Sequence, residues 1–139
     1  MYNFSEKSIE RLATCNTELM LLFNEVIKYY DCSIIYGFRD HEIQNKLYEE
    51  GRSQVKFPHS KHNRYPSKGV DVQPYPINIK LLDKHDLKEW GRFYNFIGFV
   101  RGLAIMMGID VRTGSDWDGD FNLKDQNFDD LWHWELKDD

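Results

Sequence analysis

Apolar residues recur at helical spacing along much of the chain. A period near 3.6 residues marks a helix with one buried face, and it predicts helices at residues 5–13, 17–30, 41–50 and 86–107. Asp40 can cap the third of these helices, and Gly51 can end it. The glycines of the long last helix are expected to allow close packing against neighbouring elements: Gly91, Gly98 and Gly102.

Short β-prone runs lie between these helices and predict strands at residues 32–38, 69–73, 109–112 and 132–136. Side chains alternate between the two faces of a strand, so His133 and Glu135 share the face opposite to the neighbouring tryptophans. Asp71 likewise points away from the valines on either side of it. The polar segments 51–68 and 113–127 are predicted to be loops. Helices and strands in this order indicate a single α+β domain with a small, mainly antiparallel sheet.

Composition narrows the class of protein. The chain has 139 residues, 41% of them hydrophobic, and a formal net charge of -5, which argues against a nucleic-acid partner. The first residues lack the basic and apolar segments of a signal peptide, and no stretch is long enough to span a membrane. Cys15 and Cys32 lie in apolar surroundings that predict buried, reduced thiols, with a disulfide between them as the alternative.

Two histidines and an aspartate suggest a catalytic zinc site. His62, Asp71 and His133 would supply three ligands and leave a fourth position open for water. Taken singly, His133 could bond a backbone carbonyl and His62 could be a surface loop residue. An aspartate within an apolar strand, however, destabilises the fold unless it is paired or bound. Asp130, three residues before His133, could move the protons of a water bound to the metal.

The acidic segment before the last strand is a separate signal. Asp116, Asp118 and Asp120 resemble the opening of a calcium-binding loop, since calcium prefers several oxygen ligands from a flexible turn. The full EF-hand pattern fails, because Phe121 and Asn127 stand where glycine and glutamate are required. A solvated acidic turn is the alternative.

Several stretches together resemble a known family: residues 11–15, 34–39, 51–53, 60–63, 69–76 and 130–136. They are similar to the phage endolysin L-alanyl-D-glutamate peptidases. These belong to the D-alanyl-D-alanine carboxypeptidase (VanY-like) family of zinc peptidases, whose wider fold group includes the hedgehog signalling domain. The resemblance implies a monomeric catalytic domain over residues 1–139 with the hedgehog/D-Ala-D-Ala-peptidase fold and no separate cell-wall-binding domain.

The resemblance also implies roles for individual residues. The zinc ligands would be His62, Asp71 and His133. Asp130 would be the general acid/base that acts with zinc-activated water, and Arg39 would stabilise the oxyanion. Ser60 and Gln44 match substrate-binding positions, with loop positioning and helix packing as their respective alternatives. His62 and Asp71 are nine positions apart, further than in the carboxypeptidase branch, and the extra residues 64–67 are expected to shape the rim of the pocket.

The implied function is hydrolysis of the L-alanyl-D-glutamate bond in the stem peptide of bacterial peptidoglycan. Without a signal peptide, such an endolysin would be held in the host cytoplasm until a membrane pore releases it to the wall. A D-alanyl-D-alanine carboxypeptidase is the alternative enzyme. A noncatalytic zinc-binding module of the hedgehog type is the alternative from another class, and the presence of both Asp130 and Arg39 disfavours it.

Overall fold

A computed structural model describes residues 1–138, over which the chain forms five α-helices and one four-stranded sheet. The helices are α1 (Glu6–Leu12), α2 (Thr17–Val26), α3 (His41–Glu49), α4 (Ile79–Asp83) and α5 (Leu87–Met107). The strands are β1 (Cys32–Tyr36), β2 (Gly69–Pro74), β3 (Val111–Gly114) and β4 (Asp130–Leu136). A single 3₁₀ turn, Lys61–Asn63, precedes β2. None of the described helices is both long and apolar enough to cross a membrane.

Polar side chains fix where the helices begin. Each α-helix follows a residue whose side chain accepts a hydrogen bond from a backbone N–H of the first turn, which satisfies a donor that has no partner inside the helix. These caps are Ser5, Asn16, Asp40, Asn78 and Asp86. Two expectations about helices were wrong: α2 ends at Val26 rather than near residue 30, and the short α4 was not predicted.

The sheet has the order β1-β2-β4-β3, with every neighbouring pair antiparallel. This confirms the predicted α+β class with a small antiparallel sheet. The two central strands pair Asp71 of β2 directly with His133 of β4. Opposite residues on antiparallel strands have neighbouring side chains, so the register alone brings two of the predicted ligands together.

Helices α2 and α5 cover the apolar face of the sheet. Phe23 of α2 meets the fully buried Trp134 of β4 edge to face, with ring centroids 6.1 Å apart. Cys15 and Cys32 are also buried and are not bonded to each other. Burial raises the pKa of both thiols to about 12, so they remain protonated and pack as small apolar groups.

The glycines of α5 do not serve close packing as expected. A Cβ built at any of the three would meet no atom within 4 Å outside its own neighbourhood: Gly91, Gly98 and Gly102. All three lie on the exposed side of the helix. The apolar side chains of the opposite side make the contact with the core, among them Phe93, Phe96 and Val100.

Candidate metal centre and groove

The three predicted zinc ligands converge at one buried point. His62 Nε2 lies 3.3 Å from Asp71 Oδ1, and His133 Nδ1 lies 3.4 Å from the same oxygen. The two ring nitrogens are 3.3 Å apart. His62 comes from the 3₁₀ turn and the other two from the central strands. The group therefore exists only in the folded chain.

Neighbouring acceptors fix which nitrogen of each ring faces inward. His62 Nδ1 donates to the carbonyl oxygen of Gly37 at 2.7 Å, and His133 Nε2 donates to Glu135 Oε1 at 2.8 Å. Arg112 Nη2 in turn donates to Glu135 Oε2 at 2.7 Å. A carbonyl and an ionised carboxylate can only accept, so the outer nitrogens carry hydrogens and the inner nitrogens can offer lone pairs to a cation that replaces a bound proton. Such outer partners orient histidine ligands in metal sites.

This arrangement fits a zinc ion. Asp71 Oδ1 is buried and accepts no hydrogen bond, and the two inward lone pairs of His62 and His133 face it. Three lone pairs at this separation repel one another unless a cation lies between them. Tetrahedral zinc with bonds of about 2.0–2.1 Å places neighbouring ligand atoms about 3.3–3.4 Å apart, as these atoms are. Two imidazoles and one carboxylate are also a donor set that zinc accepts.

The electrostatics of the pocket also favour a positive charge. Burial alone would raise the pKa of Asp71, but His62, His133 and Arg39 hold it well below its usual range. Burial lowers the pKa of His133, yet its interactions with the carboxylates of Asp71 and Glu135 outweigh burial and raise it to about 9. Without a metal the pocket therefore retains a proton, and a divalent cation would take the place of that proton.

Arg39 lies directly behind the ligand carboxylate. Its Nη2 donates to Asp71 Oδ2, which leaves Oδ1 for the ligand position. Its backbone N–H donates to the carbonyl of His62 at 2.7 Å, and its guanidinium lies 4.5 Å from the ring centroid of Tyr36. The Nε–H is buried without a partner. Arg39 is thus fixed beside the candidate metal ligands.

The two residues predicted to bind substrate, Gln44 and Ser60, lie in different surroundings from each other. Gln44 is fully buried beneath the site, where it donates to Ser53 Oγ at 2.8 Å and accepts from Asn63 at 3.3 Å. This buried position favours helix packing, the alternative role for Gln44, over substrate binding. Ser60 lines the groove, but its hydroxyl accepts from the backbone N–H of His62 at 3.1 Å and so caps the 3₁₀ turn.

Asp130 begins β4 at the edge of the metal centre. Burial, together with the negative charge of Asp71, raises its pKa above the usual value for aspartate. Such a shift suits a group that must both accept and donate a proton near neutral pH. Its backbone packs against Gly114 of β3, where a Cβ would lie 2.3 Å from the Asp130 carbonyl oxygen. The lack of a side chain at position 114 therefore allows Asp130 to occupy this place.

Two adjacent open pockets lie beside these residues and are here called the two lobes of a groove. The first lobe, about 580 Å³, includes His62, His133 and the wall formed by Trp117. The second lobe, about 360 Å³, includes Tyr36 and Trp132. The residues that line both lobes, and so mark their junction, are Arg39, Arg52, Phe128 and Asp130. A chain-like ligand could therefore extend to both sides of Asp130.

Known proteins resemble this chain in sequence and in fold. A family model described as phage L-alanyl-D-glutamate peptidase matches residues 1–137. The chain belongs to that family. The crystal structure of the Serratia marcescens L-Ala D-Glu endopeptidase ChiX has a similar fold, with a TM-score of 0.69 and 22% identity over 97% of this chain and 90% of that chain. A search of curated proteins gives no significant match.

The acidic segment of this family member gathers into a second cluster. Asp116, Asp118, Asp120 and Asp125 each bring a carboxylate oxygen within 4.8 Å of the others. Asp116 is fully buried, and one of its oxygens pairs with Arg101 at 2.9 Å while the other has no partner. Asp125 is therefore part of the cluster, together with the three residues that the sequence indicated: Asp116, Asp118 and Asp120.

Some residues at the site were missed or misjudged from the sequence. Glu135 and Arg112 received no role, although the position of Glu135 two residues after His133 on a strand could have suggested contact. The sequence predicted only that Trp117 lies in a polar loop, yet its ring centroid lies 5.6 Å from that of His133. Residues 64–67 do not line either lobe described above. Their expected role at the rim of the pocket was wrong.

Proposed function

We propose that this protein is a zinc-dependent endopeptidase that hydrolyses the L-alanyl-D-glutamate bond of the peptidoglycan stem peptide. The observation that carries the proposal is the buried triangle of His62, Asp71 and His133, whose inward lone pairs require a cation, beside the raised-pKa carboxyl of Asp130 in an open groove. Membership of the L-alanyl-D-glutamate peptidase family supports the choice of bond.

Zinc held by the three ligands would supply a Lewis acid that polarises the scissile carbonyl and lowers the pKa of water. The Asp130 carboxylate accepts the proton of the attacking water and then donates it to the nitrogen of the departing D-glutamate. Because it stands at the junction of the two lobes, Asp130 can reach a bond whose two sides occupy different lobes.

Arg39 has two tasks in this scheme. Its contact with Asp71 Oδ2 holds the ligand carboxylate in place. Its charge would also stabilise the negative charge that develops on the carbonyl oxygen during attack, and a fixed donor in such a position lowers the barrier by about 3 kcal/mol. Gln44 supports Arg39 from below, at 3.4 Å between Oε1 and Nη1.

Mass analysis of purified muropeptides after digestion, with and without chelator, tests the proposal. The expected product is a stem peptide that begins at D-glutamate, formed only without chelator and restored by added zinc. Loss of one terminal alanine would instead identify a D-alanyl-D-alanine carboxypeptidase. Absence of any chelator-sensitive product would favour the noncatalytic zinc-binding module.

We also propose that the acidic cluster binds calcium. Its support is the unpartnered, fully buried oxygen of Asp116 facing a loop with three further carboxylates. Hydrogen bonding to Asp120 raises the pKa of Asp125 to about 6, a sign of crowded negative charge that a hard cation would relieve. Calorimetric titration should show calcium binding that Asp120→Asn weakens. A titration without heat would favour the solvated turn.

A further inference from the structure

Arg52 has a backbone position fixed by the end of helix α3. Gly51, with a φ of 74°, takes the left-handed conformation just past the helix, and its N–H donates to the carbonyl of Tyr48 at 3.1 Å. The N–H of Arg52 donates to the carbonyl of Leu47 at 2.8 Å. These two bonds form a Schellman motif, which determines the direction in which the chain leaves the helix.

The residue type at this position departs from the usual pattern. The second residue past a Schellman cap commonly has an apolar side chain that packs against the last turn of the helix. Here that residue is Arg52, while its partner Leu47 is buried. The Arg52 side chain is 62% exposed and lines both lobes of the groove. A departure from this local pattern beside a candidate functional site suggests that the Arg52 side chain binds a ligand.

The other cationic side chains of the groove are already engaged. Four arginines and lysines line the first lobe, and three of them hold carboxylates of the protein: Arg39 with Asp71, Arg112 with Glu135, and Lys61 with Asp138. Arg52 has one ion pair among the described residues, at 3.4 Å to Glu50. Both partners of that pair are exposed, and such pairs are weak. Arg52 is thus the cation of this lobe that can bind an anionic ligand.

We infer that Arg52 binds the free α-carboxylate of the D-glutamate residue on the leaving side of the scissile bond, an inference that rests on the proposed function. In the stem peptide D-glutamate continues through its γ-carboxyl, so its α-carboxylate lies on the carbon bonded to the scissile nitrogen. That nitrogen receives the proton from Asp130, which shares the junction of the lobes with Arg52. A guanidinium can bind a carboxylate through two parallel hydrogen bonds, but it cannot do so with an amide.

Arg52 would therefore make the enzyme selective for stems in which this carboxyl is not amidated. The experiment compares two synthetic substrates, N-acetyl-L-alanyl-γ-D-glutamyl-L-lysine and the counterpart in which the α-carboxyl is an amide. The wild-type protein should cleave the acid about ten- to a hundredfold more efficiently, the range expected for a charge-assisted hydrogen bond. Arg52→Gln should lose most of this advantage through a higher KM for the acid, with cleavage of the amide nearly unchanged.

Two further variants complete the test. Arg52→Lys keeps the charge without the paired donors and should retain part of the preference. Arg64→Gln removes an arginine that pairs with Asp138 outside the groove and should behave as wild type. Equal cleavage of both substrates by wild type, or an equal loss on both in Arg52→Gln, would overturn the inference and leave the endopeptidase standing. Cleavage of neither substrate by wild type would overturn the proposed function itself, and the inference with it.

Discussion

The contribution of Glu135 can be measured as zinc affinity, separately from catalysis. Burial raises its pKa, but hydrogen bonds with His133 and Arg112 lower it to about 2, so it is an anion at neutral pH beside the proposed metal ligand His133. Glu135→Gln removes that charge while preserving shape. We expect zinc affinity to fall about ten- to a hundredfold, the usual effect of losing such an outer partner.

Competition with a chromophoric chelator measures this affinity directly. Activity of Glu135→Gln should recover at saturating zinc, because Glu135 acts through its hydrogen bond with His133 and all three proposed ligands remain. Glu25→Gln is a matched control, since Glu25 pairs with Lys28 on an exposed helix face. Unchanged zinc affinity in Glu135→Gln would contradict the role given to Glu135.

Substitution of Asp130 should have the opposite effect to Glu135→Gln: it should impair catalysis and leave zinc binding intact. Asp130 begins β4 and is not one of the three ligands, so Asp130→Asn should retain one equivalent of zinc. An amide cannot accept and return a proton, and kcat should fall by about 10²–10⁴. Zinc content by mass spectrometry and turnover of purified muropeptides check the two halves. A variant with full activity would remove Asp130 from the mechanism.

Among the helices, α5 offers a test of stability without function. Gly98 lies on the exposed side of α5, where a Cβ meets nothing within 4 Å. Gly98→Ala should raise the free energy of unfolding by about 0.5–1 kcal/mol, because alanine loses less backbone entropy in a helix. Gly108 ends the same helix with a φ of 70°, so Gly108→Ala should lower stability. Urea denaturation measures both, and a destabilised Gly98→Ala would contradict the assignment of an open helix face.

The elements that the sequence predicted are those with strong local signals. Asp40 predicted the start of α3 as a cap, and the long apolar period predicted α5. Helix α4 has only five residues after a proline-rich stretch, too few for a periodic pattern. Asp71 and His133 lie close together because of the strand order and register. The alternation of apolar and polar residues along a strand does not determine either of these. Residue types and strand faces suggested a shared site before the fold was known, and the family resemblance then implied the same ligand set.

At the scale of the whole molecule, charge is unevenly distributed. The chain carries a net charge of -5, yet the first lobe of the groove contains three arginines and a lysine. Carboxylates of the protein neutralise most of these cations and thereby fix the walls: Asp71, Glu135 and Asp138. Arg52 is left for substrate. An acidic protein thus exposes a weakly paired arginine on the groove wall where the proposed anionic peptide would bind.

The proposed metal centre joins the 3₁₀ turn to both central strands, so zinc should stabilise the entire fold. A ligand that binds only the folded state at a hundred times its Kd contributes about 2.7 kcal/mol. For a domain of this size that corresponds to a rise in Tm of roughly 10 °C. Differential scanning calorimetry of the chelated protein with and without added zinc measures the shift. His133→Ala lacks one ligand and should show little of it, whereas an equal rise in that variant would place the stabilising zinc elsewhere.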